Sequence, residues 1–176
     1  QAQLNRYNQG LRFYDTASNR AEIDQLKIEL AQPDDLGALF QMYKRAKIEL
    51  DKQKLFQWTD NYPTAEIIEG DLKKESLYTL KEGDEIIGAI CLSEEQDPQY
   101  QYVNWKYNHS KVLVIHRLVI HPKHQRKSHA LKLMDFAEHY AIDHNYSSIR
   151  LDAYSANARV VNFYKKRDYR IRGAIY

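Results

Sequence analysis

The chain has 176 residues and a formal net charge of only +2, with 43% hydrophobic residues and few Gly or Pro. That is enough chain for one domain with a real core, and the composition excludes disorder through most of its length. The near-neutral charge argues against a broad nucleic-acid-binding face, and the sequence has no apolar run of membrane-spanning length and no visible signal peptide, so a cytoplasmic protein is expected.

Residues 1–22, "QAQLNRYNQGLRFYDTASNRAE", are polar and irregular. They form an N-terminal extension of unknown role, and residues 23–176 form the single domain. "IDQLKIELA" reads as a strand. "QPDDLGALFQMYKRAKIELDKQ" reads as a helix, with Pro33, Asp34 and Asp35 suited to a first turn and Leu36, Leu39, Phe40 and Tyr43 at helical spacing. An aromatic loop, "LFQWTDNYP", leads to a second helix, "TAEIIEGDLKKE", with Thr64 as its N-cap. The acids Glu66, Glu69 and Asp71 of that helix either face solvent or attract a cation.

"SLYTLKEGDEIIGAICLSE" is a hairpin signal, two apolar strands around a tight turn. Cys91 lies in its second strand. A lone cysteine excludes a disulfide framework and reads as a small core residue in a reducing compartment. A polar, Tyr-rich loop runs from Glu94 to Lys111. The strand "VLVIHRLVI" follows, then a helix to about Asn145 with Ala130, Leu133, Met134, Ala137 and Ala141 as its apolar stripe. "SIRLDAY" reads as a strand, "NARVVNFYKKR" as a short helix and "DYRIRGAIY" as a final strand. The predicted order β–α–α–β–β–β–α–β–α–β makes the chain α/β with a mixed sheet.

Between the strand ending at Ile120 and the next helix lie His121, Lys123, His124, Arg126 and Lys127. A helix N-terminus already carries partial positive charge, so cations there are unfavourable unless an anion binds. Strand, turn and helix start also form a ready phosphate site. The glycines of a Walker loop or a dinucleotide fingerprint are absent. The three histidines lack Cys or acidic partners at metal spacing, so no metal is expected.

"LVIHPKHQRKSHALKLM" resembles the cofactor motif of the GNAT superfamily of N-acetyltransferases, an aliphatic strand end and Pro followed by Gln/Arg-x-x-Gly-x-Gly/Ala opening a helix. Gln125, Lys127, Ser128 and Ala130 fall on it. "NARVVNFYKKRDY" resembles the family's second signature, with Asn157, Phe163, Tyr164 and Lys166 matching. Spacing and element order agree from Leu26 onward, and the "QWTDNYP" and "DPQY" stretches resemble an uncharacterised bacterial branch. The resemblance implies a mixed, mostly antiparallel central sheet flanked by helices. The departures are Ser128, Val160 and Asp168 at positions where the family places small residues or glycine. Serine still offers its N–H, and Asp tolerates a left-handed backbone. Cofactor binding is therefore expected to persist, more weakly than with the full glycine motif.

The resemblance further implies direct acetyl transfer from acetyl-CoA to an amine. The backbone of Leu118, Val119 and Ile120 would pair with pantetheine. The N–H groups of Arg126, Lys127, Ser128, His129 and Ala130 would hold the pyrophosphate, with Gln125, Asn157, Tyr164 and Lys166 completing the cofactor site. Lys123 or Lys127 would meet the 3′-phosphate. Tyr164 stands at the family's general-acid position, the alternative being an aromatic that only packs. His116 can serve as base near its ordinary pKa of ~6.5, the alternative being a hydrogen-bonded core histidine. Strand alternation puts His116, Leu118 and Ile120 on one face and Arg117 on the other. Asp152, acting through water, is a third route.

For the acceptor, Trp58, Tyr62 and Trp105 either line an aromatic pocket for a small amine or merely pack their loops. Two other readings compete with a small-molecule enzyme: a non-catalytic acyl-CoA-binding module of the same fold, and a protein or peptide N-acetyltransferase. An exposed final strand would favour a homodimer. No nucleic-acid or membrane partner is expected.

Overall fold

Gly83 and Asp84 connect Leu77–Glu82 (β2) to Glu85–Ser93 (β3), with Gly83 in the left-handed region at φ 59°. Glycine takes that conformation without a Cβ penalty, so the hairpin closes in register from Glu82↔Glu85. The computed structural model describes residues 26–108 and 110–175. The N-terminal extension 1–22, and Ile23 to Gln25 of the first predicted strand, lie outside the described residues. Leu26–Leu30 (β1) pairs antiparallel with β2, and Val112–Ile120 (β4) antiparallel with β3. Ser148–Arg150 (β5) pairs parallel with β4, giving the order β1-β2-β3-β4-β5.

Two helices cover one face of this sheet. Leu36–Lys52 (α1) begins after a short 3-10 turn at Pro33–Asp35, and Ala65–Lys73 (α2) begins where Thr64 Oγ1 accepts from the Ile67 N–H at 3.3 Å. The cap and the proline start both match the sequence. Leu39, Met42, Tyr43, Ala46 and Ile68 bury against Ala89, Cys91 and Val119. His129–Asp143 (α3) covers the other face, packing Leu133, Met134, Ala137 and Ala141 on Ile87, Ile90, Leu113 and Ile115. Gly88 allows close approach here, since a Cβ on it would lie 2.9 Å from Ile120 Cδ1 and 3.1 Å from the Val119 carbonyl. Ala158–Lys166 (α4) follows β5, capped by Asn157 Oδ1 on the Val160 N–H at 3.2 Å.

The α/β class and the mixed, mostly antiparallel sheet agree with expectation. Two elements differ. The strand expected over "SIRLDAY" ends at Arg150, because its partnership with β4 stops at Val114↔Arg150. The last expected strand, "DYRIRGAIY", is not formed between Asp168 and Ile175. β5 is too short to template it, and Ile171 stays 67% exposed. The edge-strand argument for a homodimer therefore has no strand to rest on among the described residues.

Candidate active site

β4 continues from Ile115 to Ile120 after its last pair with β5, so that edge of its backbone faces a gap. The same stretch carries a bulge. Ala89 pairs with Val119 and Cys91 with His116, so one residue too many lies on β4. Arg117 absorbs it at φ 50°. The bulge breaks the alternation expected from the sequence. Cys91 and Val119 belong to the α1/α2 core, and His116 is Cys91's partner. Arg117 points to that same side, toward Asp71 of α2, while Leu118 and Ile120 pack on the α3 side.

Beyond Ile120, His121 N–H donates to the Ile87 carbonyl at 2.8 Å, and a 3-10 turn at Pro122–His124 leads into the basic segment. Arg126 (φ 66°) and Ser128 (φ 63°) are both left-handed. The first bond into α3 runs from Lys132 N–H to the Ser128 carbonyl at 3.3 Å. The N–H groups of Arg126, Lys127, Ser128, His129 and Ala130 donate to no backbone carbonyl among the described residues. Two left-handed residues before a helix and a run of free N–H groups form a concavity for an anion. Arg126, Lys127 and Ser128 are exposed around it, and Gln125 Nε2 ties back to the Ile120 carbonyl at 3.4 Å. These features fit a pyrophosphate.

Ser128 makes no side-chain cap bond, so its hydroxyl offsets none of the left-handed strain. Ser128→Gly is therefore expected to stabilise the fold by about 0.5–1 kcal/mol after the added freedom of the unfolded chain is counted. A denaturant titration checks it; an unchanged or lower midpoint would contradict it.

His121, His124 and His129 stand in a row, with ring centroids 5.7 and 6.4 Å apart. His129 is buried at the head of α3, and its Nδ1, like that of His124, has no hydrogen-bond partner among the described residues. Among the described residues no three His, Cys, Asp or Glu side chains are arranged to hold a metal. Burial holds His116, His121 and His129 below the ordinary histidine value. The unfolded chain therefore binds these protons more readily than the folded one. Stability is full above ~6.5 and falls as pH drops through that value toward the depressed folded pKa values. Melting temperature should thus fall between pH 7.5 and roughly pH 5; a flat profile would contradict the burial of these rings.

His116 Nε2 lies 2.9 Å from the Glu95 carbonyl. A carbonyl only accepts, so Nε2 carries the proton and Nδ1 keeps the lone pair. Tyr164, on α4, is half-buried against the α3 core, its ring edge-on to Phe163 at 5.3 Å and to Tyr169 at 5.8 Å. Burial, then the Asp152 charge, pushes its phenol up to about 12. Asp152 follows the end of β5, exposed, and Tyr100 Oη donates to its Oδ1 at 3.3 Å. The same carboxylate acts on His116 as well. His116, Asp152 and Tyr164 thus border one groove where β4 and β5 part.

The other sequence candidates divide. Trp58 packs its ring on Tyr43 at 5.5 Å, and Tyr62 Oη accepts from Arg117 at 3.0 Å. Trp105 donates Nε1–H to the Tyr100 carbonyl at 2.8 Å and lies under the Arg150 guanidinium, 4.3 Å from ring to cation. All three border the groove, Trp58 held against α1, Tyr62 against β4 and Trp105 within its own loop. Asn157 is buried, and besides capping α4 it donates Nδ2–H to Gln57 Oε1 at 3.3 Å. Lys166 is exposed near the end of α4.

Asp71 and Tyr43 take roles at Arg117 that differ from those expected of a solvent-facing acid and a core aromatic. Asp71 is 6% exposed and accepts two guanidinium bonds from Arg117, at 2.7 and 2.6 Å. It therefore neither faces solvent nor stands free to attract an amine. Tyr43 Oη donates to the Arg117 carbonyl at 2.8 Å. One signal was available: Asp71 sits three residues after Ile68, on the buried stripe of α2.

A β-sheet that splits between two parallel strands, beside a helix start whose N–H groups are unpaired among the described residues, defines an α/β fold with room for an extended phosphorylated molecule. The family model described as acetyltransferase (GNAT) family matches residues 38–169. The chain belongs to that family, and acyl transfer is the chemistry that membership carries. A Staphylococcus aureus Mu50 protein provisionally assigned as an acetyltransferase is 28% identical, with 80% of this chain and 88% of that one covered and a TM-score of 0.66. A GNAT-family acetyltransferase from Listeria monocytogenes 4b F2365 shares 18% identity over 85% of this chain and 89% of its own, with a TM-score of 0.73. The PaiA N-acetyltransferase from Thermoplasma acidophilum, solved with coenzyme A, shares 14% over 85% and 92%, with a TM-score of 0.67. No curated protein matches the chain by sequence.

Proposed function

We propose that this chain is an acetyl-CoA-dependent N-acetyltransferase that moves an acetyl group directly to a primary amine of a small molecule. The observation that carries the reading is the β4–β5 gap next to the left-handed turn at Arg126 and Ser128, with His116 and Tyr164 both on the lining of the broad groove that includes them. Leu118, Val119 and Ile120 offer backbone along the gap, and the free N–H groups at the head of α3 receive the pyrophosphate. Asn157 at the start of α4 and Lys166 at its end complete the cofactor side in this reading.

In this reading His116 takes a proton from the incoming ammonium through Nδ1. Its depressed pKa keeps it neutral at physiological pH, so the acid limb of kcat/KM should fall below ~6.5. Backbone N–H groups of the bulged strand stabilise charge on the carbonyl oxygen. The C–N bond forms as the C–S bond breaks, nitrogen gives up its second proton, and sulfur takes one. Tyr164 donates to the departing sulfur. A thiol ordinarily titrates near ~8.5, well below the phenol's elevated value, so a hydrogen bond rather than complete proton transfer is its natural contribution.

Asp71 is neutralised by Arg117, and Glu95 by Lys74 at 2.5 Å. Asp97 and Asp152 also line the groove, but the paired Asp71 and Glu95 and the aromatic Trp58, Tyr62 and Tyr100 make its acceptor side more aromatic than acidic. This favours a small amine. The left-handed turn forms without glycine, which supports the catalytic reading over a non-catalytic module. A screen of small primary amines with acetyl-CoA, following release of free CoA thiol, tests the proposal. Amine-dependent release by the native chain supports it; release from peptides alone would favour the protein-modifying reading.

A further inference from the structure

Arg117 is strained: an arginine at φ 50° in the middle of a strand persists only if its surroundings hold it there. Contacts from three segments do so. Tyr43 of α1 holds its carbonyl at 2.8 Å. Asp71 of α2 takes Nε–H and one terminal N–H at 2.7 and 2.6 Å. Tyr62, in the loop between those helices, takes another at 3.0 Å. The two charged side chains are only 11% and 9% exposed. Burial also pushes the Tyr43 phenol far above its ordinary value, so its hydroxyl remains a donor.

A trans peptide is planar, with C=O and N–H pointing in opposite directions. Fixing the Arg117 carbonyl on Tyr43 therefore fixes the Leu118 N–H on the opposite side of the same plane. Leu118 lies on the part of β4 that has no β5 partner. A free strand edge would let that peptide rock; the clamp removes the freedom before any substrate arrives, which is what electrostatic preorganisation requires.

We propose that Tyr43, Asp71 and Tyr62 are positioning residues that act through Arg117 to aim the Leu118 N–H at the thioester carbonyl oxygen. This rests on the acetyltransferase reading above. None of the three is assigned a place in the chemical step itself; their effect is on the direction of one backbone donor.

The test uses the full chain with acetyl-CoA labelled with ¹³C at the carbonyl, so that no acceptor need be known. Isotope-edited infrared difference spectra report how strongly that carbonyl is polarised. The native protein should shift the band to lower wavenumber than in free acetyl-CoA. Tyr43→Phe removes one hydroxyl and keeps the ring on Trp58. It should abolish most of the shift while acetyl-CoA affinity, by calorimetry, stays within about twofold. Tyr62→Phe should lose part of the shift, and Asp71→Asn, where it folds, most of it. Once an amine is in hand, kcat should fall with KM for acetyl-CoA unchanged. An unshifted band in the native complex, or a native shift retained in Tyr43→Phe, overturns the proposal while leaving the acetyltransferase reading intact. Loss of acetyl-CoA binding in Tyr43→Phe shows a merely structural role and overturns it too. No binding by the native chain overturns the acetyltransferase reading, and the clamp proposal falls with it.

Discussion

Tyr164→Phe is expected to lower kcat by about 10²-fold, the lower end of what a positioned proton donor contributes, with acetyl-CoA affinity nearly unchanged. The substitution removes one oxygen from a half-buried ring. The packing on Phe163 and Tyr169 involves the ring face and edges and survives. The hydroxyl makes no hydrogen bond to another described residue that its loss would orphan. Its elevated pKa, about 12, means that it is a donor at every working pH and never a competing anion. That same elevation argues against a larger effect, because full transfer to a thiolate would run uphill. Single-turnover measurements on the variant should show slow chemistry after normal binding. An unchanged kcat would return Tyr164 to the aromatic packing role that its neighbours alone suggest.

Asp71→Ala should have the largest effect on stability, a loss of about 3–5 kcal/mol. Asp71 and Arg117 form a pair shielded from solvent on both sides, with two guanidinium bonds. Removing the carboxylate leaves a buried cation without its counter-charge on an already strained residue. Domains of this size have only about 5–15 kcal/mol of stability, so the variant should be severely destabilised. Replacing both members together, Asp71→Leu with Arg117→Met, removes the orphaned charge and should recover much of the loss. Urea titration of the single and double variants checks this. If Asp71→Ala costs under ~1 kcal/mol, the pair behaves as a solvated surface bridge and the clamp on the bulge is not rigid.

Local chemistry made much of the fold legible. Thr64 announced its helix because a hydroxyl before an apolar period satisfies an orphan N–H, and it does. The hairpin followed from Gly83, whose left-handed φ the turn requires. Asp168, standing where the related motif has glycine, was expected to tolerate a left-handed backbone and adopts φ 64°. What stayed hidden depends on contacts between distant elements. The bulge at Arg117 comes from pairing with β3 and anchoring by α1 and α2, and strand alternation cannot foresee an inserted residue. The strand expected over "DYRIRGAIY" finds no long partner, since β5 ends at Arg150. Within the site, Asp71 reads in sequence as one of three helix acids that face water or attract a cation, and only its contact with Arg117 of a distant strand shows it buried and paired.

Calorimetric titration of the native chain with acetyl-CoA asks whether the gap and the basic turn form a cofactor site. One site per chain is expected, with affinity on the order of micromolar, about −8 kcal/mol, weakened by high salt because phosphates meet Arg126, Lys127 and the head of α3. No heat of binding at millimolar acetyl-CoA would mean that the turn at Arg126 and Ser128 does not receive a pyrophosphate, and the acetyltransferase account would be contradicted at its foundation.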